Sequence, residues 1–200
     1  LVFDMDDVHS ANPKYKQIVY KQSRKWDYLL SDNPFSTEKF QSCFMYEKDK
    51  ILELGYPAND PLYDKDLDKK ADELKTKLGI PKNKKVLLYA PTWRDDQHQA
   101  GVGYTYKTEV KFDLLKEKLQ EDYIILFRAH YLVANSFDFE KYQGFIYNVS
   151  EVDNINELYV IADLLITDYS SVFFDYANLK RPMIFYMYDL DKYKDDLRGF

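Results

Sequence analysis

Hydrophobic and polar positions follow two regimes along the chain. From Val86 onward, short uninterrupted apolar runs recur: Val86–Ala90, Tyr123–Phe127, Phe145–Val149, Leu164–Thr167 and Met183–Tyr186. Runs of this length without polar alternation predict strands buried on both faces. Between most of them lie stretches with apolar residues at helical spacing: Phe112–Gln120, Ile155–Ile161 and Val172–Leu179. Strands alternating with helices predict an α/β fold, a parallel sheet with flanking helices and right-handed crossovers.

The first part of the chain is less regular. A helix is expected over Lys14–Lys25, a short strand over Trp26–Leu30 and a turn over Ser31–Ser36. A helix over Thr37–Phe44, capped by Ser36 or Thr37, and a short strand over Ile51–Gly55 follow. The segment LDKKADELKTKLGI reads as an amphipathic helix with Leu67, Ala71, Leu74 and Leu78 inward, ended by Gly79. The Asp- and Lys-rich stretch before it contains Pro61 and marks the expected boundary, giving domains 1–65 and 66–200.

Composition narrows the classes. The 200 residues are 46% hydrophobic, enough for a core. The balance of 28 basic against 34 acidic residues, a net of −6, argues against a nucleic-acid partner, which needs a basic field. It leaves room for a small anionic ligand held by local positive groups. Cys43 is the single cysteine, so no intrachain disulfide forms and a reducing compartment fits. No stretch reads as a membrane span or a signal peptide.

Ligands of parallel sheets bind at the carboxyl ends of the strands, so the residues after each strand carry the candidate chemistry. After Ala90 come Thr92, Trp93 and Arg94; after Phe127 come Arg128 and His130; after Thr167 come Asp168, Tyr169, Ser170 and Ser171. Each has a plainer reading. Ser170 or Ser171 would serve as an ordinary helix N-cap, Trp93 as cover for the sheet edge, and Arg94 as an ion-pair partner of Asp95 or Asp96. Three such strand ends on one rim point instead to a site that holds phosphate or moves a proton. His9 and His98 lie in polar surroundings and read as surface residues. No histidines have ligand spacing, so no zinc site is expected. The pairs Asp4/Asp6 and Asp189/Asp191 read as solvated carboxylates in preference to a Mg²⁺ site.

Taken together, YAPTWRDD, RAHYL and the long stretch INELYVIADLLITDYSSVFFDYANLKRPMIFYMYDL resemble the CDP-glycerol glycerophosphotransferase family of teichoic acid polymerases and primases. YLLSDNPFSTEKF and ILELGYPANDPL match as well, so the resemblance covers most of residues 28–200 in order. It implies a two-domain GT-B architecture with the active site in the cleft between two Rossmann-like domains, each a parallel sheet with flanking helices. Residues 66–200 would be the C-terminal donor nucleotide-binding domain, truncated at its end, and residues 1–65 the end of the N-terminal, acceptor-side domain.

The implied reaction moves glycerol phosphate from CDP-glycerol to a hydroxyl of a lipid-linked teichoic acid chain and releases CMP, without cofactor or metal. Alternatives are a CDP-ribitol or capsule alditol-phosphate transferase, a nucleotide-sugar glycosyltransferase, or an inactive nucleotide-binding module. By the resemblance, His130 is catalytic and supports the departing CMP phosphate. Thr92, Trp93, Arg94, Arg128, Asp168, Tyr169, Ser170 and Ser171 line the donor site, with Asp168 orienting its turn. The family's His-Gly-Thr motif, source of the proposed general base, is expected upstream of Leu1. These 200 residues alone are therefore expected to bind donor weakly and transfer nothing. The implied location is cytoplasmic, peripheral at the inner face of the cell membrane, with the membrane met through parts outside these residues.

Overall fold

A computed structural model describes residues 13–92, 98–99, 103–104, 109–129 and 137–193. The chain divides into two compact units, Leu1–Asp60 and Pro61–Phe200. The division falls inside the 3-10 stretch Pro57–Tyr63, a few residues before the expected boundary between residues 65 and 66. Leu62 explains the position: its side chain is buried in the core of the second unit, so the chain joins that unit before the next helix begins.

In the first unit, helix α1 (Pro13–Ser23) precedes strand β1 (Leu29–Ser31), and helix α2 (Pro34–Cys43) precedes strand β2 (Ile51–Glu53). β1 and β2 pair in parallel, Leu29 opposite Ile51. α2 starts three residues earlier than the pattern predicts. Asn33 caps it, accepting from the Ser36 amide at 2.8 Å, and Pro34 occupies the first turn with its φ already set for a helix. Thr37 is thereby freed for another role. Its buried hydroxyl lies 2.7 Å from that of Ser31 and donates to the Glu53 carboxylate at 2.6 Å, joining α2 to both strands.

The second unit opens with helix α3 (Leu67–Lys77). Gly79, at φ +66°, turns the chain out of it, and the Ile80 amide donates back to Lys75 O at 2.8 Å. Strand β3 (Lys85–Ala90) follows. Residues 98–99 (β4) and 103–104 (β5) pair antiparallel, a hairpin that the apolar pattern does not predict. Then come α4 (Phe112–Leu119), β6 (Tyr123–Phe127), β7 (Ile146–Asn148), α5 (Ile155–Ile161), β8 (Leu164–Thr167), α6 (Val172–Tyr176) and β9 (Met183–Phe185). Five of these strands form one parallel sheet in the order β7-β6-β3-β8-β9.

The inner strands β3, β6 and β8 are covered on both faces, which is why they are apolar throughout. β9, expected to be buried too, lies at the sheet edge and leaves Ile184 and Phe185 exposed. Val86, Leu88, Ile124, Leu126 and Leu165 pack on one face against α3, α5 and α6. Leu87, Tyr89, Ile125 and Phe127 pack on the other against Phe112, Tyr142 and Phe145. On that second face Phe137 lies 4.7 Å from Phe127 and 5.2 Å from Phe112, centroid to centroid.

Two polar anchors tie helices to the sheet. Arg181 donates from Nη1 to three carbonyls at the end of α5: Tyr159 at 3.2 Å, Val160 at 2.8 Å and Ala162 at 2.6 Å. These are carbonyls of a helix C-terminus, where a cation is also favoured by the dipole. Tyr176, fully buried, donates its hydroxyl to Ala162 O at 2.9 Å.

Both anchors are testable. Arg181→Ala should lower stability by about 2 kcal/mol, the loss of a charged donor shared by three carbonyls at a helix end. Urea unfolding measures it, and an unchanged midpoint would reduce Arg181 to a surface residue. Burial pushes the Tyr176 hydroxyl up to about 12. The unfolded chain releases that proton near pH 10, so stability falls as the pH rises from about 10 to 12 and is unaffected by this group below. Tyr176→Phe should flatten the decline relative to the parent in unfolding curves taken across that window.

Candidate functional site

The strand order makes a crevice. From central β3 the chain adds β6 and β7 on one side, then returns to add β8 and β9 on the other. The segments leaving β3 and β8 therefore diverge at the carboxyl edge, which is where parallel sheets of this order accept ligands. Thr92 follows β3 and Asp168 follows β8, so both stand at that point.

Asp168 holds the two segments together. It is buried, and its Oδ1 accepts from the Thr92 amide and the Tyr169 amide, each at 2.7 Å. One residue earlier, the buried Thr167 hydroxyl donates to Ala90 O at 2.7 Å. β9 joins from the far side, its following residue Tyr186 donating its amide to Thr167 O at 2.8 Å. Tyr169 turns outward along this rim. Its ring stacks on Tyr193 at 3.7 Å and its hydroxyl lies 3.1 Å from Asp189 Oδ1.

Ser170 is half-buried and Ser171 exposed. Ser171 is the N-cap residue of α6, yet its side chain makes no capping bond, and Ser170 Oγ receives only a long 3.4 Å contact from the Val172 amide. The plain capping reading thus leaves most of the hydrogen-bonding capacity of both hydroxyls unused. α6 itself is short, but it runs on through a 3-10 turn over Ala177–Leu179.

Arg128 stands one strand away, after β6. Its backbone amide donates to Tyr89 O at 2.9 Å, and its guanidinium Nη1 donates to Val149 O at 3.2 Å and Val152 O at 2.6 Å. It therefore clamps the segment that leads from β7 into α5. Burial lowers its pKa from the ordinary arginine value, against the smaller opposing effects of Tyr159 and Asp153. Ser150 adds a further bond on this side, accepting from the Ala129 amide at 3.2 Å.

The structure thus brings Thr92, Asp168, Tyr169, Ser170 and Ser171 to one crevice and sets Arg128 on the next strand end. Trp93, Arg94 and His130, together with His9, Asp4 and Asp6, lie outside the described residues. Sequence reasoning missed Ser150, although it follows a predicted strand directly and the rule applied to the other strand ends would have found it. Nothing in the apolar pattern distinguishes Arg181 or Tyr159.

Comparison with known proteins places this architecture. The family model described as CDP-Glycerol:Poly(glycerophosphate) glycerophosphotransferase matches residues 1–200. The chain belongs to this family. It is 47% identical over 203 residues to the teichoic acid poly(glycerol phosphate) polymerase of Bacillus subtilis, covering 100% of this chain and 27% of that protein. It is 49% identical over 187 residues to the teichoic acid glycerol-phosphate transferase of Staphylococcus aureus, covering 93% and 48% respectively. The solved structure of the wall teichoic acid polymerase TagF superposes with a TM-score of 0.88 at 45% identity, over 98% of this chain and 48% of that one. The chain thus spans about a quarter to a half of the length of these relatives. Among the described residues, no helix is long and apolar enough to cross a membrane.

Asp168 is the point where this crevice is most sensitive. Asp168→Ala would remove the carboxylate that accepts from two part-buried amides and should cost about 3 kcal/mol, whereas Asp168→Asn keeps an acceptor oxygen and should cost about 1 kcal/mol. Chemical unfolding of both variants checks the ranking; equal losses would mean that charge and not hydrogen-bond acceptance is what Asp168 supplies.

Proposed function

We propose that this chain is the donor-binding part of an enzyme that transfers glycerol phosphate from CDP-glycerol to a hydroxyl of a lipid-linked teichoic acid chain, with release of CMP. The observation that carries the reading is the family match over residues 1–200, in relatives whose names specify glycerol phosphate. On this reading, residues 66–200 are the donor nucleotide-binding domain and residues 1–65 the end of the acceptor-side domain. The enzyme works at the cytoplasmic face of the cell membrane as a peripheral protein, since its acceptor is anchored there.

The chemistry needs little covalent participation. An acceptor oxygen loses its proton and attacks the phosphorus that bears glycerol; the bond to the CMP phosphate breaks. Fixed positive charge and hydrogen-bond donors at the leaving phosphate lower the barrier because they need no reorganisation as charge develops. Ser170 and Ser171, with the amides that begin α6, hold the diphosphate at the switch point. Arg128 supplies a cation that its carbonyl partners already hold in place. Asp168 touches no anion in this scheme; it keeps the Thr92 and Tyr169 segments in register around the ligand. His130 stabilises the departing phosphate, with Thr92, Trp93 and Arg94 lining the same rim.

The test uses the full-length enzyme with a lipid-linked acceptor. CMP release should be faster from CDP-glycerol than from CDP-ribitol, and UDP-glucose should release neither UDP nor UMP. His130→Ala should lower turnover by about 3–4 kcal/mol in barrier, a few powers of ten, with thermal stability little changed. A folded variant that releases CMP at the parent rate would remove His130 from the mechanism, and faster reaction with UDP-glucose would replace the donor assignment.

A further inference from the structure

Tyr159 is fully buried, and its hydroxyl has no hydrogen-bond partner among the described residues. Its ring packs edge-on against Tyr176, centroids 5.8 Å apart, so the aromatic body belongs to the core. The hydroxyl does not follow from that packing. Phenylalanine would fill the same volume without the penalty of an unpaired buried oxygen. Neighbouring Tyr176 shows the usual solution, since its own hydroxyl donates to a carbonyl.

The position of Tyr159 gives the hydroxyl a use. Tyr159 lies one turn into α5, and α5 begins at the carboxyl edge because it follows β7. Arg128 leaves β6 with the same parity as Ile124 and Leu126, which face the side of the sheet that α5 covers. Its guanidinium holds Val149 and Val152, the approach to α5. The same region carries Asp175 of α6. Burial above all, then the Asp175 carboxylate, holds the Tyr159 hydroxyl well above the ordinary phenol range, while Arg128 pulls the other way.

We propose that Tyr159 is a positioning residue whose hydroxyl, through one enclosed water, steadies the Arg128 guanidinium at the carboxyl edge of the sheet. A water there accepts from the phenol and from a guanidinium N–H and donates to the Asp175 carboxylate, the set of polar partners that an enclosed water requires. The hydroxyl thereby acts on the ligand only through Arg128. The role rests on the reading of this edge as the site of the donor phosphates.

Two measurements on the full-length enzyme test it. A crystal structure at high resolution should show a water within hydrogen-bond distance of both Tyr159 Oη and Arg128; a direct contact or an empty gap overturns the proposal. Tyr159→Phe should change the melting temperature little and raise the KM for CDP-glycerol about fivefold, the worth of one hydrogen bond, with kcat little changed. Adding Tyr159→Phe to Arg128→Lys should raise KM no further, since the hydroxyl works through the guanidinium. An unchanged KM in Tyr159→Phe, or a lower melting temperature without a KM effect, overturns it. If the parent enzyme releases no CMP from CDP-glycerol, the functional reading fails by itself, and the crystallographic result alone decides the role of Tyr159.

Discussion

One carboxylate oxygen joins the two halves of the sheet where they diverge. Asp168, itself buried, accepts through Oδ1 from the amides of Thr92 and Tyr169. Parallel strands of this order part at the switch point, and the segments leaving them carry backbone donors with no strand to pair with. A buried acceptor on the first residue after β8 solves both problems at once. It satisfies two amides and fixes the distance between the segments that border the crevice. The turn at Ser170 and Ser171 is then held from below, while its hydroxyls stay available above.

The same economy recurs wherever a helix end meets the sheet. Arg181 covers the carbonyls that end α5, and Arg128 covers carbonyls on the approach to its start. In both cases a guanidinium takes the place of a loop's own hydrogen bonds. This keeps the connections short and stiff, and a rigid rim is what electrostatic stabilisation of a phosphate transfer requires. The Arg128 guanidinium is accordingly held in place by carbonyls of the chain itself.

Much of the fold was legible because burial on two faces leaves a strong mark. VLLYA, YIILF and LLIT have no polar alternation, and only a strand covered on both sides accepts such a run. Ends of elements were less legible. α2 starts at Pro34 and not at Thr37, because Asn33 and Pro34 act as cap and first turn while Thr37 serves a buried contact with Glu53. The β4–β5 hairpin carries no apolar signature at all, since its pairing lies off the main sheet.

The sequence by itself determined the α/β class, the strands of the main sheet and the polar residues that follow them, because hydrophobic period and strand length are local properties. Only the tertiary structure decided which strand ends are neighbours. Strand order is set by long-range pairing, which no local pattern encodes, so the meeting of Thr92 with Asp168 across 76 positions of chain appears only in the folded sheet. The same holds for Arg128 and its two carbonyls and for the buried hydroxyl of Tyr159. A side chain's partners follow from what packs against it, and that is fixed by the assembled layers and not by its neighbours in sequence.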